Sequence, residues 1–167
     1  MASIEPLTSA SGIPYYDIPG PGKTLLFLHA NGYPPLSYRP LLQKLAQSHR
    51  TIGMCQRPLW PGADPAGIDN WEPLAEDLLR FYHELSPAPS LGVGHSVGGN
   101  VLLRAALLHP DLFQAIVLID PVFFPRSMIL LWNIVFRLGL GYRLHPLIRG
   151  AARRRRVFSN KQIMFER

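Results

Sequence analysis

Four short apolar runs, separated by segments of helical period, restrict this chain more than any other feature. They are Thr24–His29 (TLLFLH), Thr51–Cys55 (TIGMC), Ser90–His95 (SLGVGH) and Ala115–Asp120 (AIVLID). Each is apolar on both faces, which suits the central strands of a parallel sheet covered on both sides. An earlier run, Ile13–Ile18, reads as an edge strand, a pattern that Pro14 weakens. Three amphipathic segments lie between the runs. Ser37 is placed to cap a helix carrying Leu41, Leu42 and Leu45. Asn70 is placed to cap a second, with Leu74, Leu78, Phe81 and Leu85 on one face. The third starts after Ser96, carries Val101, Leu102, Ala105 and Leu108, and stops at His109-Pro110. Strands alternating with helices predict βαβ units with right-handed crossovers. The fold class expected is α/β, a mostly parallel open sheet with flanking helices.

The pattern changes after Asp120. Pro121 and Pro125 break the chain, Arg126–Leu140 reads as an apolar helix and Pro146–Arg156 as a basic one, with no further strand. Residues 1–124 are therefore expected to form the α/β core. Residues 125–167 are expected to form a helical lid or cap segment over the carboxyl ends of the strands.

A hydrophobic fraction of 47% against 17% charged residues excludes disorder of the whole chain. The formal charge of +6 invites a nucleic-acid reading, but Arg143, Arg149 and Arg153 to Arg156 concentrate it near the carboxyl end. No aromatic side chains interleave with that run as stacking platforms, so it reads as a solvated helix face and no nucleic-acid partner is expected. The single cysteine, Cys55, excludes an internal disulfide, and no Cys/His spacing resembles a zinc site. Met1 to Gly12 lacks the basic start and apolar core of a secretory signal. Met128–Leu140, interrupted by Asn133 and Arg137, is too short to span a bilayer. The cytoplasm is the expected location.

Gly94-His95-Ser96-Val97-Gly98 fits the G-x-S-x-G nucleophile elbow, at a strand-to-helix junction where that motif must lie. The turn is tight, so residues two before and two after the serine must be tiny; Gly94, Gly98 and Gly99 meet that demand. An attacking serine also needs donors for the oxyanion it creates. The backbone N–H of Val97, opening a helix whose dipole favours negative charge, is the first candidate. The second is expected from the loop His29-Ala30-Asn31-Gly32-Tyr33-Pro34.

Here the chain resembles the α/β-hydrolase superfamily, of the serine hydrolase and esterase type, over roughly Ile13 to Asp120. Leu26-Phe27-Leu28-His29 followed by a small residue is similar to that family's His-Gly-x-Pro oxyanion loop, with Ala30 in place of the usual glycine. Aligned on His29, the resemblance implies Asn31 as the second donor, with Gly32 as the alternative. His29 itself reads as a loop-bracing residue in preference to a proton shuttle. The family's triad acid follows the seventh strand in most members and the sixth in some. Asp120, ending the last apolar run, either orients a histidine or caps its own loop by bonding to backbone N–H groups. After Thr51–Cys55 the chain departs from the family's Asp-x-x-Gly-x-Gly-x-Ser loop and reads Gln56-Arg57-Pro58-Leu59-Trp60-Pro61-Gly62. Arg57 and Trp60 either shape a pocket or Trp60 packs beneath the lid, and the second is expected.

The triad histidine is missing from its expected place. The family's chain order is Ser, acid, His, yet only His145 follows Asp120, in the presumed lid. His49, His83, His95 and His109 are not placed as a general base. Either the chain is truncated before the last strands or it is a natural short relative without ordinary triad chemistry; the abrupt end at Gln162–Arg167 and the apolar sheet edge left at Ala115–Asp120 favour the first expectation.

The resemblance then implies a serine-nucleophile hydrolase of carboxyl esters or related acyl compounds, working through an acyl-enzyme without metal or organic cofactor. Its partner would be a small-molecule acyl substrate, apolar in view of Trp132, Phe136 and the lid's Leu and Ile residues. The 167-residue form is expected to be inactive. Two alternatives stand beside this reading. One is a non-catalytic binding or interaction protein that kept the fold. The other is contact with a membrane surface through Met128–Leu140 and the arginines.

Overall fold

The structure is a computed structural model that describes residues 5–64, 68, 70–85 and 88–144. Its strands are β1 (Leu7–Thr8), β2 (Pro14–Ile18), β3 (Thr24–Leu28), β4 (Arg50–Met54), β5 (Ser90–His95) and β6 (Phe113–Ile119). Its helices are α1 (Arg39–Leu45), α2 (Glu72–Leu85), α3 (Val97–Leu108), α4 (Arg126–Arg137) and α5 (Gly141–Leu144). The sheet order is β1-β2-β4-β3-β5-β6. Strands β4, β3, β5 and β6 run parallel, and the β1–β2 and β2–β4 pairs are antiparallel. The α/β class and the mostly parallel sheet expected from the sequence are both present.

Side-chain alternation sorts the core into two layers. Leu25, Phe27 and Val93 pack with Leu42 of α1 on one face. Leu26, Leu28, Ile52 and Met54 pack on the other with Leu74, Leu78 and Phe81 of α2 and Val101, Leu102 and Ala105 of α3. Two apolar side chains of opposite parity in one short strand thus supply both layers.

Three local expectations are corrected. Ile13–Ile18 does not lie at the sheet edge, because β1 pairs with β2 outside it. Pro14 is tolerated as the first strand residue, and its carbonyl accepts from Cys55 N–H at 2.9 Å. Ser37 caps no helix; it lies in a 3₁₀ turn, Pro35–Tyr38, that runs into α1. The apolar helix from Arg126 stops at Arg137, and Gly139 takes φ 71° just beyond it. Asn70, by contrast, accepts the Glu72 N–H through Oδ1 at 2.7 Å and starts α2 as expected.

The chain divides into two compact units, with the boundary between Val122 and Phe123. In the second unit α4 exposes Met128, Ile129, Leu130, Leu131 and Ile134. Among the described residues no helix is long and apolar enough to cross a membrane. The basic segment Pro146–Arg156 and His145 lie outside the described residues.

Candidate active site

Strand β5 ends at His95 and α3 opens at Val97, so Ser96 alone makes the turn. Its backbone sits at φ 53°, ψ −121°, a region that side-chain-bearing residues avoid and that persists only when the surroundings over-determine it. Here they do. Ser96 N–H donates to Ile119 O at 2.9 Å, and Ser96 O accepts from Gly99 N–H at 2.9 Å. The flanking glycines are needed for space. A Cβ on Gly94 would lie 2.5 Å from Gly98 O, and one on Gly98 would lie 2.4 Å from Leu28 O and 2.7 Å from His29 O. The elbow therefore presses against the end of β3, where the oxyanion loop begins.

Register brings the other candidates to the same place. Leu28 pairs with Gly94 and His95 with Ile119, so the His29 loop, Ser96 and Asp120 leave neighbouring strands side by side. Adjacent strands lie about 4.8 Å apart. Val97 and Asn31, the two expected oxyanion donors, line one cavity of about 80 Å³ whose apolar wall includes Pro58, Trp71 and Leu74. The Val97 N–H belongs to the first turn of α3, where no intrahelical acceptor exists. Asn31 and Gly32 are the central pair of a turn closed by Tyr33 N–H to Ala30 O at 3.1 Å, with Gly32 at φ 78°. That is the position of such a turn that calls for glycine.

His29 is fully buried and braces this loop. Its Nδ1 lies 2.8 Å from Ala30 O, and its Nε2 accepts the Gln56 N–H at 2.9 Å. One nitrogen donates and the other accepts, which defines the neutral ring. Burial pushes its pKa down, partly opposed by the bond to Ala30 O. The Gln56 amide donates back to His29 O, so the loops after β3 and β4 are laced together. Gln56 carried no recognisable signal in the sequence beyond its place after a strand.

In the departing loop, Arg57 forms a two-point pair with the fully buried Asp77 of α2, both bonds at 2.8 Å. Trp60 donates from its indole to Cys55 O at 2.6 Å and packs against the main core cluster. Both are thus tied to the core of the first unit. Cys55 is buried, which pushes its thiol up to about 11 and leaves it inert.

Asp120 has φ 45°, the second non-glycine residue in the left-handed region and the strand neighbour of Ser96. Its carboxylate is exposed, and among the described residues no backbone N–H caps it. The loop is held instead by Asn100 of α3, which donates to Val122 O at 2.7 Å and accepts from Val122 N–H at 2.9 Å. That leaves the Asp120 carboxylate free to bond elsewhere.

No histidine described here is poised as a base. His29 is locked, and His95 bonds to Tyr38 through Nδ1 at 2.7 Å. His49 bonds to Ser48 just before β4, at the opposite end of the strands. His83 is exposed on α2. His109 ends α3, a full helix from Ser96, or about 18 Å at 1.5 Å per residue.

This corner defines an α/β-hydrolase elbow, and the chain belongs to the Alpha/beta hydrolase family, whose pattern matches residues 25–166. It is similar to the type I acyl-CoA thioesterase MpaH of Penicillium roqueforti, 32% identical over 127 residues, covering 65% of this chain and 29% of that protein. It is also similar to the 2-(acetamidomethylene)succinate hydrolase of Mesorhizobium japonicum, 29% identical over 101 residues, covering 60% of this chain and 36% of that one. An epoxide hydrolase from an endophytic Streptomyces superposes with a TM-score of 0.62 at 27% identity, over 75% of this chain and 39% of that one. The chain thus spans 29% and 36% of the length of these two curated relatives.

Proposed function

We propose that this chain carries the nucleophile and oxyanion site of a serine hydrolase acting on carboxyl esters or related acyl compounds. Ser96 Oγ attacks the acyl carbonyl while a histidine outside the described residues takes its proton. The Val97 and Asn31 amides hold the resulting oxyanion. The leaving alcohol or thiol departs with that proton, and water then hydrolyses the acyl-enzyme by the same route. Asp120 orients the histidine and stabilises its charged form. The observation that carries this reading is the strained φ of Ser96, held between β5 and α3 with both oxyanion candidates lining one cavity. Acyl-transfer names among the relatives, such as the thioesterase, support it. A serine at the elbow also sets the chain apart from epoxide hydrolases that attack through aspartate.

A fluorophosphonate probe tests the assignment on the full-length protein. Ser96 is expected to label and Ser96→Ala to be silent. Labelling retained in Ser96→Ala, or absent from an ester-hydrolysing wild type, contradicts the reading. The 167-residue chain is expected to turn over p-nitrophenyl esters several orders of magnitude more slowly than an intact triad enzyme. Rapid turnover would show that a base within the chain had been overlooked.

A further inference from the structure

The hydroxyl of Tyr38 joins the two halves of the oxyanion site. It accepts the Ala30 N–H at 3.2 Å and bonds to His95 Nδ1 at 2.7 Å. Ala30 is the second residue of the oxyanion loop, and His95 is the residue before the nucleophile. Tyr38 itself ends the 3₁₀ turn ahead of α1, and its ring packs on Phe27 of β3 and edge-on to His95. We infer that Tyr38, with His95 as its anchor, is a positioning residue that sets the direction of the Asn31 N–H relative to the elbow. This inference rests on the acyl-hydrolase reading above.

The reason lies in the planarity of the peptide bond. Ala30 C=O and Asn31 N–H belong to one trans peptide unit, so they point in opposite directions. The carbonyl is fixed by His29 Nδ1 at 2.8 Å and by Tyr33 N–H at 3.1 Å. Those two bonds hold the unit itself, and the Ala30 N–H bond to Tyr38 holds the unit before it, so the two together keep the loop from pivoting at the Ala30 Cα. Oxyanion donors act within a few tenths of an ångström, at 2.7–3.1 Å from the developing charge. A loop tied only to the β4 side, through His29 and Gln56, would still be able to swing away from β5. Tyr38 ties it to the β5 side. The Tyr38 hydroxyl and His95 Nδ1 share one proton, and the ring tautomer decides which of them donates.

The test separates the bridge from the chemistry it serves. Amide hydrogen exchange on the 167-residue chain reads the bridge directly. The Ala30 amide is expected to exchange about tenfold faster in Tyr38→Phe and in His95→Leu, the usual effect of losing one hydrogen bond. In His95→Asn it should stay near the wild-type rate, because the asparagine amide offers an acceptor oxygen or a donor N–H in place of Nδ1. Leu26 and Val93 amides should not change in any of them. Unchanged Ala30 exchange in Tyr38→Phe, or His95→Asn behaving like His95→Leu, overturns the inference. Should Tyr38→Phe fail to fold, the two His95 variants carry the same comparison.

Fluorophosphonate labelling of the full-length protein reads the consequence. The maximal rate at Ser96 should fall about tenfold in Tyr38→Phe and in His95→Leu and stay near wild type in His95→Asn, with the half-saturating probe concentration unchanged. Faster exchange without slower labelling would make the bridge structural only, and the positioning role would be wrong. No labelling of the wild type would sink the nucleophile assignment instead, and the exchange result would still decide the bridge.

Discussion

Strand β5 and strand β6 lie side by side and finish differently. The first is enclosed by β3 and β6, its glycines admit α3 to backbone contact, and it ends in Ser96, where both peptide groups are bonded. The second pairs with β5 alone among the described strands, and Val117 on it is 56% exposed. Ile119 and the neighbouring Leu107 and Leu108 of α3 are exposed as well. Close approach and complete hydrogen bonding make the β5 corner rigid from its own residues. The β6 side is apolar without being enclosed, and a strand edge of that kind is a template for pairing. The Ser96 corner is therefore specified within the first unit, whereas the strand beside it still presents surface suited to burial.

That contrast can be broken most severely from the interior. Replacing Arg57 by leucine strands the buried Asp77 carboxylate and is expected to cost about 4 kcal/mol, measured by urea unfolding. A loss under about 1 kcal/mol would mean that the pair behaves like an exposed one. Gly98→Ala, which drives a methyl into Leu28 O and His29 O, should cost about 3 kcal/mol and abolish labelling at Ser96. Near-wild-type stability there would show that the elbow and the oxyanion loop can separate freely.

A smaller effect concerns pH. Because burial lowers the pKa of His29 below its ordinary 6.5, the unfolded chain binds the proton more readily than the folded one. Stability should then fall as pH drops below about 6.5 and level off below the folded-state value. His29→Gln should flatten that slope, and an unaltered slope would assign it to other histidines. The smallest change is expected at the edge. Val117→Lys should alter unfolding free energy by no more than about 0.5 kcal/mol while reducing self-association in light scattering. A large destabilisation would mean that β6 is better packed than its exposure indicates.

The elbow was legible in the sequence because its constraint is local: a strand, a serine and three glycines within six residues leave one way to turn. The positions of Asn31 and Val97 were legible for a related reason, each standing at a fixed offset from a strand end, and both line one cavity. Tyr38, Gln56, Asn100 and the Arg57–Asp77 pair were not. Each bonds to a partner 8 to 57 residues away, among them Ala30 and His95 for Tyr38 and Val122 for Asn100, and no spacing rule announces such partners. Ser37 and the Ile13–Ile18 strand were misplaced because propensity is blind to the proline-initiated 3₁₀ turn and to the two-residue strand that covers β2.

Periodicity and glycine placement alone determined that this chain is a parallel α/β sheet with a serine held at a strand-to-helix corner, since both follow from short-range sterics and alternation. Which side chains brace that corner, which histidines are locked and how Asp120 comes to stand beside Ser96 were decided only when the strands took their order in the sheet. Hydrogen bonds depend on distances in space, and strand order, more than sequence separation, sets those distances.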